Sequence, residues 1–258
     1  MQLIDTHCHL YLDDFRDDID LVMVRARAAG IIKFFLPSID STETNSLLEM
    51  EKKFPGECFA MMGLHPCSVK ENYRDELNKV AGWLGKRKFA AVGETGLDFY
   101  WDTTFMHQQY EAFEMQMQWA LDSGIPIVIH TRNAIQQTID TVKPFAVKGL
   151  SGIFHCFGDS YETATQILDM GFYLGIGGVL TYKKSGLDAV MEKVSLDQVV
   201  LETDSPYLTP VPFRGKRNES SYLPYIAAKL AAIKKISVEE TAAITASNAE
   251  KIFSGSIV

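Results

Sequence analysis

The sequence predicts a single-domain α/β protein, a (β/α)₈ TIM-like barrel. Short apolar, β-rich runs alternate with helical segments along the whole chain, the pattern of a parallel sheet. Eight such units recur at intervals of roughly 20 to 35 residues, the size of one βα unit. The 258 residues, 47% hydrophobic and 22% charged, suffice for one large core. A doubly wound open sheet is the structural alternative. Tandem repeats, low-complexity tracts and linker-like stretches are missing, so residues 1–258 read as one domain.

The elements follow in order. Leu3 and Ile4 form a short buried strand, followed by His7-Cys8-His9. Residues 17–29 show helical spacing (Ile19, Val22, Met23, Ala26), and Gly30 stops it. A strand over 31–36 precedes a helix over 42–53, whose end Pro55-Gly56 punctuates. A strand over 58–63 leads into Leu64-His65-Pro66. A helix over 73–84 precedes a strand over 89–93, ending in Glu94. The long helix over 105–123 closes at Gly124, and the strand over 126–129 ends in His130. A helix over 134–142, a strand over 151–154 ending in His155, and a helix over 161–170 come next. Residues 172–176 form a strand, 187–194 a helix and 199–201 the last strand, before Glu202-Thr203-Asp204. In the tail, 222–232 is a helix with Pro224 in its first turn. Ser237 and Glu240 open a capping box for a final helix to about residue 253.

Bulk properties limit the function classes. Net charge is −8, which argues against gripping long duplex DNA through its phosphates, since such proteins are basic over at least one face. The four cysteines are scattered and form no CxxC pair, which points to a reducing compartment. No leader pattern or membrane-length apolar run stands out, and a cytoplasmic, monomeric protein without membrane contact is expected.

Polar residues recur at one kind of place. His7, His9, Glu94, His130, His155 and Asp204 all fall just after a predicted strand. In a barrel those ends converge on the face that carries the chemistry. Four histidines and two carboxylates exceed one tetrahedral zinc, and they suit two metals sharing a carboxylate. Glu94 is the bridging candidate, with His7, His9 and Asp204 on one metal and His130 and His155 on the other. Any one of these alone is more often a hydrogen-bonded structural group, and the shared position of all six favours the metal reading. His65 also follows a strand and is a candidate substrate contact or a group behind the ligands, with plain loop structure as the alternative. His107, near a helix start, reads as solvated.

In combination these stretches are distinctive. The chain resembles the TatD-type metal-dependent deoxyribonucleases of the amidohydrolase superfamily over essentially its whole length. The resemblance rests on Asp5-Thr6-His7-Cys8-His9-Leu10, Gly63-Leu64-His65-Pro66, Gly93-Glu94-Thr95-Gly96-Leu97-Asp98-Phe99-Tyr100 and His130-Thr131-Arg132. It continues through His155-Cys156-Phe157, Glu202-Thr203-Asp204-Ser205-Pro206-Tyr207-Leu208, Arg214-Gly215-Lys216-Arg217-Asn218 and residues 248–253. It implies a two-metal centre held by the six residues, with Mg²⁺, Mn²⁺ or Zn²⁺, and hydrolysis of phosphodiesters in DNA. Two departures stand out. Ser220 follows Glu219 where the family tends to have proline, which is expected to loosen that loop. Gly158-Asp159 replaces Ser-Gly, which adds a carboxylate near the pocket mouth.

The expected chemistry is attack on phosphorus by a metal-activated water, with Asp204 orienting or deprotonating it and Glu94 bridging. Glu202 is either a group behind the ligands or a structural hydrogen-bond partner. Arg132, Arg214, Lys216 and Arg217 are the expected phosphate contacts, although a basic run is commonly only a solvated face. Phe99, Tyr100, Trp101 and Tyr207 would suit base stacking, although any one of them alone is more often packed within a long loop. An acidic chain with one small cationic patch fits an exonuclease acting on single-stranded DNA ends or short oligonucleotides. The rival reading keeps the metals and changes the bond, to an aminoacyl ester on tRNA or another ester or amide. A non-catalytic module on the same barrel is the third reading, and the complete ligand set argues against it.

Overall fold

A computed structural model describes residues 1–255. Its eight strands run parallel and in chain order: β1 (Leu3–Asp5), β2 (Ile31–Leu36), β3 (Cys58–Ala60), β4 (Val92–Asp98), β5 (Ile127–Arg132), β6 (Gly152–Phe154), β7 (Tyr173–Ile176) and β8 (Val199–Leu201). They pair as β1-β2-β3 and β4-β5-β6-β7-β8. Two short seams join these sheets into the predicted barrel. Met62 bridges Val92, and Gly93 N donates to Met62 O at 3.1 Å. On the other side Cys8 bridges Ser205, and Thr6 N donates to Leu201 O at 3.1 Å.

Nine α-helices surround the strands among the described residues: α1 (Ile19–Ala28), α2 (Thr44–Lys53), α3 (Tyr73–Leu84), α4 (Met106–Ser123), α5 (Ile135–Ala146), α6 (Tyr161–Asp169), α7 (Leu187–Lys193), α8 (Leu223–Lys234) and α9 (Val238–Phe253). The predicted cap of α9 is present, with Glu240 N donating to Ser237 Oγ at 3.0 Å. Among the described residues no helix is long and apolar enough to cross a membrane.

Strand alternation explains where the chemistry sits. Ile4, Phe35, Met61, Val128, Ile153 and Val200 pack together in one apolar cluster. Phe253 of α9 closes it from below, stacked on Phe35 at 3.7 Å between centroids. One pleat repeat further along, Val128 gives way to His130, Ile153 to His155 and Val200 to Glu202. The barrel interior is thus an apolar plug under a polar layer.

One strand differs from expectation in a way that matters. β4 continues through Glu94 to Asp98 instead of ending at residue 93. In its pairing with β5, Gly96 stands opposite His130. A Cβ at Gly96 would lie 2.0 Å from His130 O, so only glycine permits this approach. Glu94 and Asp98 therefore flank His130 from one strand.

Candidate metal centre and active site

Seven predicted residues converge at the C-terminal mouth of the barrel. His7 and His9 follow β1, His65 follows β3, Glu94 lies in β4, His130 in β5, His155 directly after β6 and Asp204 just beyond β8. Glu94 is the hub, and its two oxygens face different partners. Oε2 lies 3.1 Å from His7 Nε2 and 3.7 Å from His9 Nε2. Oε1 lies 2.8 Å from His155 Nε2, 2.9 Å from His130 Nδ1 and 3.4 Å from His65 Nε2. Asp204 Oδ1 joins the first group, 3.4 Å from His9 Nε2 and 3.7 Å from His7 Nε2.

This donor set fits divalent metal. His7 with His9 and Glu94, and His7 with His155 and Asp204, each bring their ligand atoms within 4.8 Å of one another. Both ring nitrogens of His7 are buried without an aligned hydrogen bond, Nε2 having only the 3.1 Å approach to Glu94 Oε2. Such a group is costly unless something else binds it, and an ion would. His65, Glu94 and His130 form a third close group. Distance alone would admit His65 as a ligand, but its hydrogen bonding argues otherwise. Cys67 N donates to His65 Nδ1 at 3.0 Å, so Nδ1 is the acceptor and, in the neutral ring, Nε2 carries the proton. That N–H faces the pocket as a donor.

The electrostatics favour anions at the hub. Burial pushes the Glu94 carboxyl up, but His155, His7 and His65 and the hydrogen bond to His130 outweigh it and hold the group well below the usual carboxylate range. Burial likewise opposes the Asp204 anion, and His9, His7 and His155 overcome it. For His155, burial favours the neutral ring, and Glu94 and Glu202 outweigh it, raising the group well above its ordinary value. Burial and neighbouring His155 lower His7.

Backbone conformation also marks this mouth. Asn133, Cys156, Asp204 and Leu208 adopt φ values of 53°, 49°, 56° and 51° in the loops after β5, β6 and β8. Left-handed non-glycine residues are uncommon and concentrate at functional sites.

A cavity of about 960 Å³ opens over the cluster, lined by His9, His65, Glu94, His130, His155 and Asp204 together with Trp101, Arg132 and Tyr207. Arg132 stacks on Tyr100 at 3.9 Å and on Trp101 at 5.1 Å. The predicted basic run is divided. Arg214 and Lys216 are exposed, and Arg214 stacks on Tyr182 at 3.9 Å. Arg217 donates to both Asp18 oxygens at 2.8 Å and lies over the Phe15 ring. Nor is the loop loosened at Ser220. That hydroxyl is buried and donates to Asp5 Oδ2 at 2.6 Å, while Arg25 grips Glu219. Asp159 lines the cavity, but its Oδ1 accepts from Ser160 N and Thr163 Oγ1 at the start of α6. His107 is exposed, as expected.

Three supporting residues escaped the sequence reading wholly or in part. Asp98 Oδ2 lies 2.9 Å from His130 Nε2. The signal was its spacing of four from Glu94, which becomes informative only once β4 is seen to continue. Tyr11 Oη lies 3.2 Å from His9 Nδ1 and donates to Pro37 O. Glu202 hydrogen-bonds backbone and also sits behind His155. Its Oε1 accepts from Cys156 N at 2.6 Å and lies 3.5 Å from His155 Nδ1. Its other oxygen occupies space that a Cβ at Gly175 would invade at 2.2 Å.

The chain is similar to known proteins along nearly its whole length. The profile of a family described as TatD related DNase matches residues 4–254. An uncharacterized metal-dependent hydrolase, YabD of Bacillus subtilis, is 34% identical over 252 residues, covering 97% of this chain and 98% of its own. The 3'-5' ssDNA/RNA exonuclease TatD of Erwinia tasmaniensis is 29% identical over 257 residues, covering 97% and 99%. The crystal structure of YjjV, a TatD homolog from Escherichia coli K12, superposes with a TM-score of 0.92 at 26% identity, covering 98% of each chain. With these matches, the barrel and the histidine–carboxylate cluster define a metal-dependent hydrolase. The chain belongs to the TatD family.

Proposed function

We propose that this hydrolase, acting as one domain over residues 1–258, cleaves phosphodiester bonds at the ends of single-stranded nucleic acid. The observation that carries the reading is the division of Glu94, with Oε2 toward His7 and His9 and Oε1 toward His130 and His155. A carboxylate shared in this way suits two ions, with Asp204 on the first. A histidine-rich set suits Zn²⁺ or Mn²⁺ better than Mg²⁺, which prefers oxygen ligands. Bound ions would supply a lowered water pKa and positive charge beside the phosphoryl oxygens.

The chain's own groups account for the remainder. Asp204, kept anionic by its histidines, is the carboxylate suited to take a proton from the attacking water. His65 Nε2–H and the exposed Arg132 guanidinium are donors suited to phosphate oxygens. Tyr100, Trp101 and Tyr207 are half or more exposed, and aromatic rings at a pocket mouth favour unpaired bases over duplex. The Erwinia relative's name supports the same substrate class. The unpaired cysteines suit a reducing cytoplasm.

The test uses metal-stripped protein and an end-labelled single-stranded oligodeoxynucleotide. Added Mn²⁺ or Zn²⁺ should give a ladder of shortened products that His155→Ala abolishes. Intact substrate with every metal, in protein that binds metal, would sink the nuclease reading and turn attention to other esters.

A further inference from the structure

Asp98 is a buried carboxylate that the scheme above does not use, and its two oxygens serve different neighbours. Oδ2 lies 2.9 Å from His130 Nε2. Oδ1 accepts from Tyr100 N at 2.9 Å and Trp101 N at 3.2 Å. Those N–H groups begin the loop that carries the exposed rings. Trp101 is 67% exposed and Tyr100 51%, their rings meet edge to face at 4.8 Å, and Arg132 covers both. Trp101 and Arg132 line the cavity beside His130.

We propose that Asp98 is a positioning residue that couples the metal-facing nitrogen of His130 to a nucleobase-stacking rim formed by Tyr100, Trp101 and Arg132. The base half rests on the nuclease reading; the histidine half does not. Carboxylates flank both ring nitrogens at 2.9 Å, Glu94 Oε1 at Nδ1 and Asp98 Oδ2 at Nε2. With an ion on the Glu94 side the ring would keep one proton, and Asp98, which only accepts, would hold it on Nε2 and turn Nδ1 to the ion. The same carboxylate fixes the backbone from which both rings project. A single side chain thus sets the distance between the reacting phosphate and the base stacked next to it.

Two substitutions separate the halves. In Asp98→Asn the amide oxygen can still accept from Tyr100 N and Trp101 N, while the amide NH₂ turns to His130 Nε2. That forces the ring proton onto Nδ1. Asp98→Ala removes both contacts. Calorimetric titration of metal-stripped protein with Mn²⁺ should show affinity falling roughly 10- to 100-fold in both variants. Anisotropy of a fluorescein-labelled, phosphorothioate-linked octadeoxynucleotide, at Mn²⁺ saturating for each variant, should show near-wild-type binding in Asp98→Asn. It should show about tenfold weaker binding in Asp98→Ala and in Trp101→Ala. Thermal melts establish that each variant is folded.

Wild-type Mn²⁺ affinity in Asp98→Asn would overturn the histidine half. Wild-type oligonucleotide affinity in folded Asp98→Ala would overturn the base half. If the unaltered protein binds Mn²⁺ but no oligonucleotide, the nuclease reading fails and takes the base half with it. The Mn²⁺ titration of Asp98→Asn then still decides the other half.

Discussion

The two sides of the Glu94 carboxylate are built differently. On the Oε2 side His7 and His9 are buried, and the backbone around them is pinned across the barrel seam. Asp5 accepts from Thr203 N, Thr203 Oγ1 and Ser220 Oγ, locking β1 to the segment after β8. On the Oε1 side His130 and His65 are partly open to the cavity, and carboxylates of Asp98 and Glu202 reach the histidines from behind. Under the proposed two-ion reading, the closed side of His7 and His9 would retain its ion more firmly and the open side of His130 and His65 would meet substrate, although His9 and Asp204 also line the cavity and His155 is buried.

Losing what the two sides share should have the largest effect. Glu94→Gln removes the shared charge, and turnover of a labelled oligonucleotide is expected to fall by roughly three orders of magnitude or more. Metal content should fall with it. Full activity in that variant would show that the two sides do not depend on a common carboxylate.

The next effect separates the sides. His9→Ala should lose the ion of the closed side and keep the other, and His130→Ala should do the reverse. Elemental analysis should then find one ion per chain in each, against two in the unaltered protein. Loss of both ions in either single variant would merge the sides into one cooperative site.

A smaller effect concerns the pin. Burial raises the Asp5 carboxyl to about 6 from 3.8, against the pull of Ser220 and Thr203. The folded state then binds more protons than the unfolded one between those values, so stability falls as pH rises through the window. Asp5→Asn removes this titration. Its stability relative to the unaltered protein should rise between pH 4 and pH 7 by up to roughly 3 kcal/mol, read from urea unfolding in chelator. A pH-independent difference would contradict the buried-anion account of the pin.

The smallest effects contrast two arginines named from sequence as phosphate contacts. Arg132→Ala should raise KM for oligonucleotides about tenfold with kcat little changed. Arg217→Ala should leave KM alone and cost roughly 0.5 to 1 kcal/mol of stability, because its partner is Asp18. Equal KM effects in steady-state kinetics would return Arg217 to the substrate path.

The contrast also marks what the chain discloses in linear form. Strand order and the six polar residues that follow the apolar runs are legible because apolar runs and punctuation are local signals, although Glu94 and His130 lie inside their strands. The end of β4 is not, since Glu94-Thr95-Gly96-Leu97-Asp98 reads as a polar loop, and only pairing with β5 keeps it extended. The fate of the basic run is hidden for a different reason. Asp18, which ties down Arg217, lies 199 residues away, so composition shows a charge without its partner. Ser220 is similar: a family comparison suggests a looser loop, whereas the hydroxyl finds Asp5 across the seam.

Electron paramagnetic resonance of Mn²⁺-loaded protein tests directly whether one carboxylate serves two ions. Two ions per chain with an exchange-coupled spectrum, reduced to isolated-ion lines in Glu94→Gln, is the predicted result. A single ion per chain, or two uncoupled ions in the unaltered protein, would contradict it.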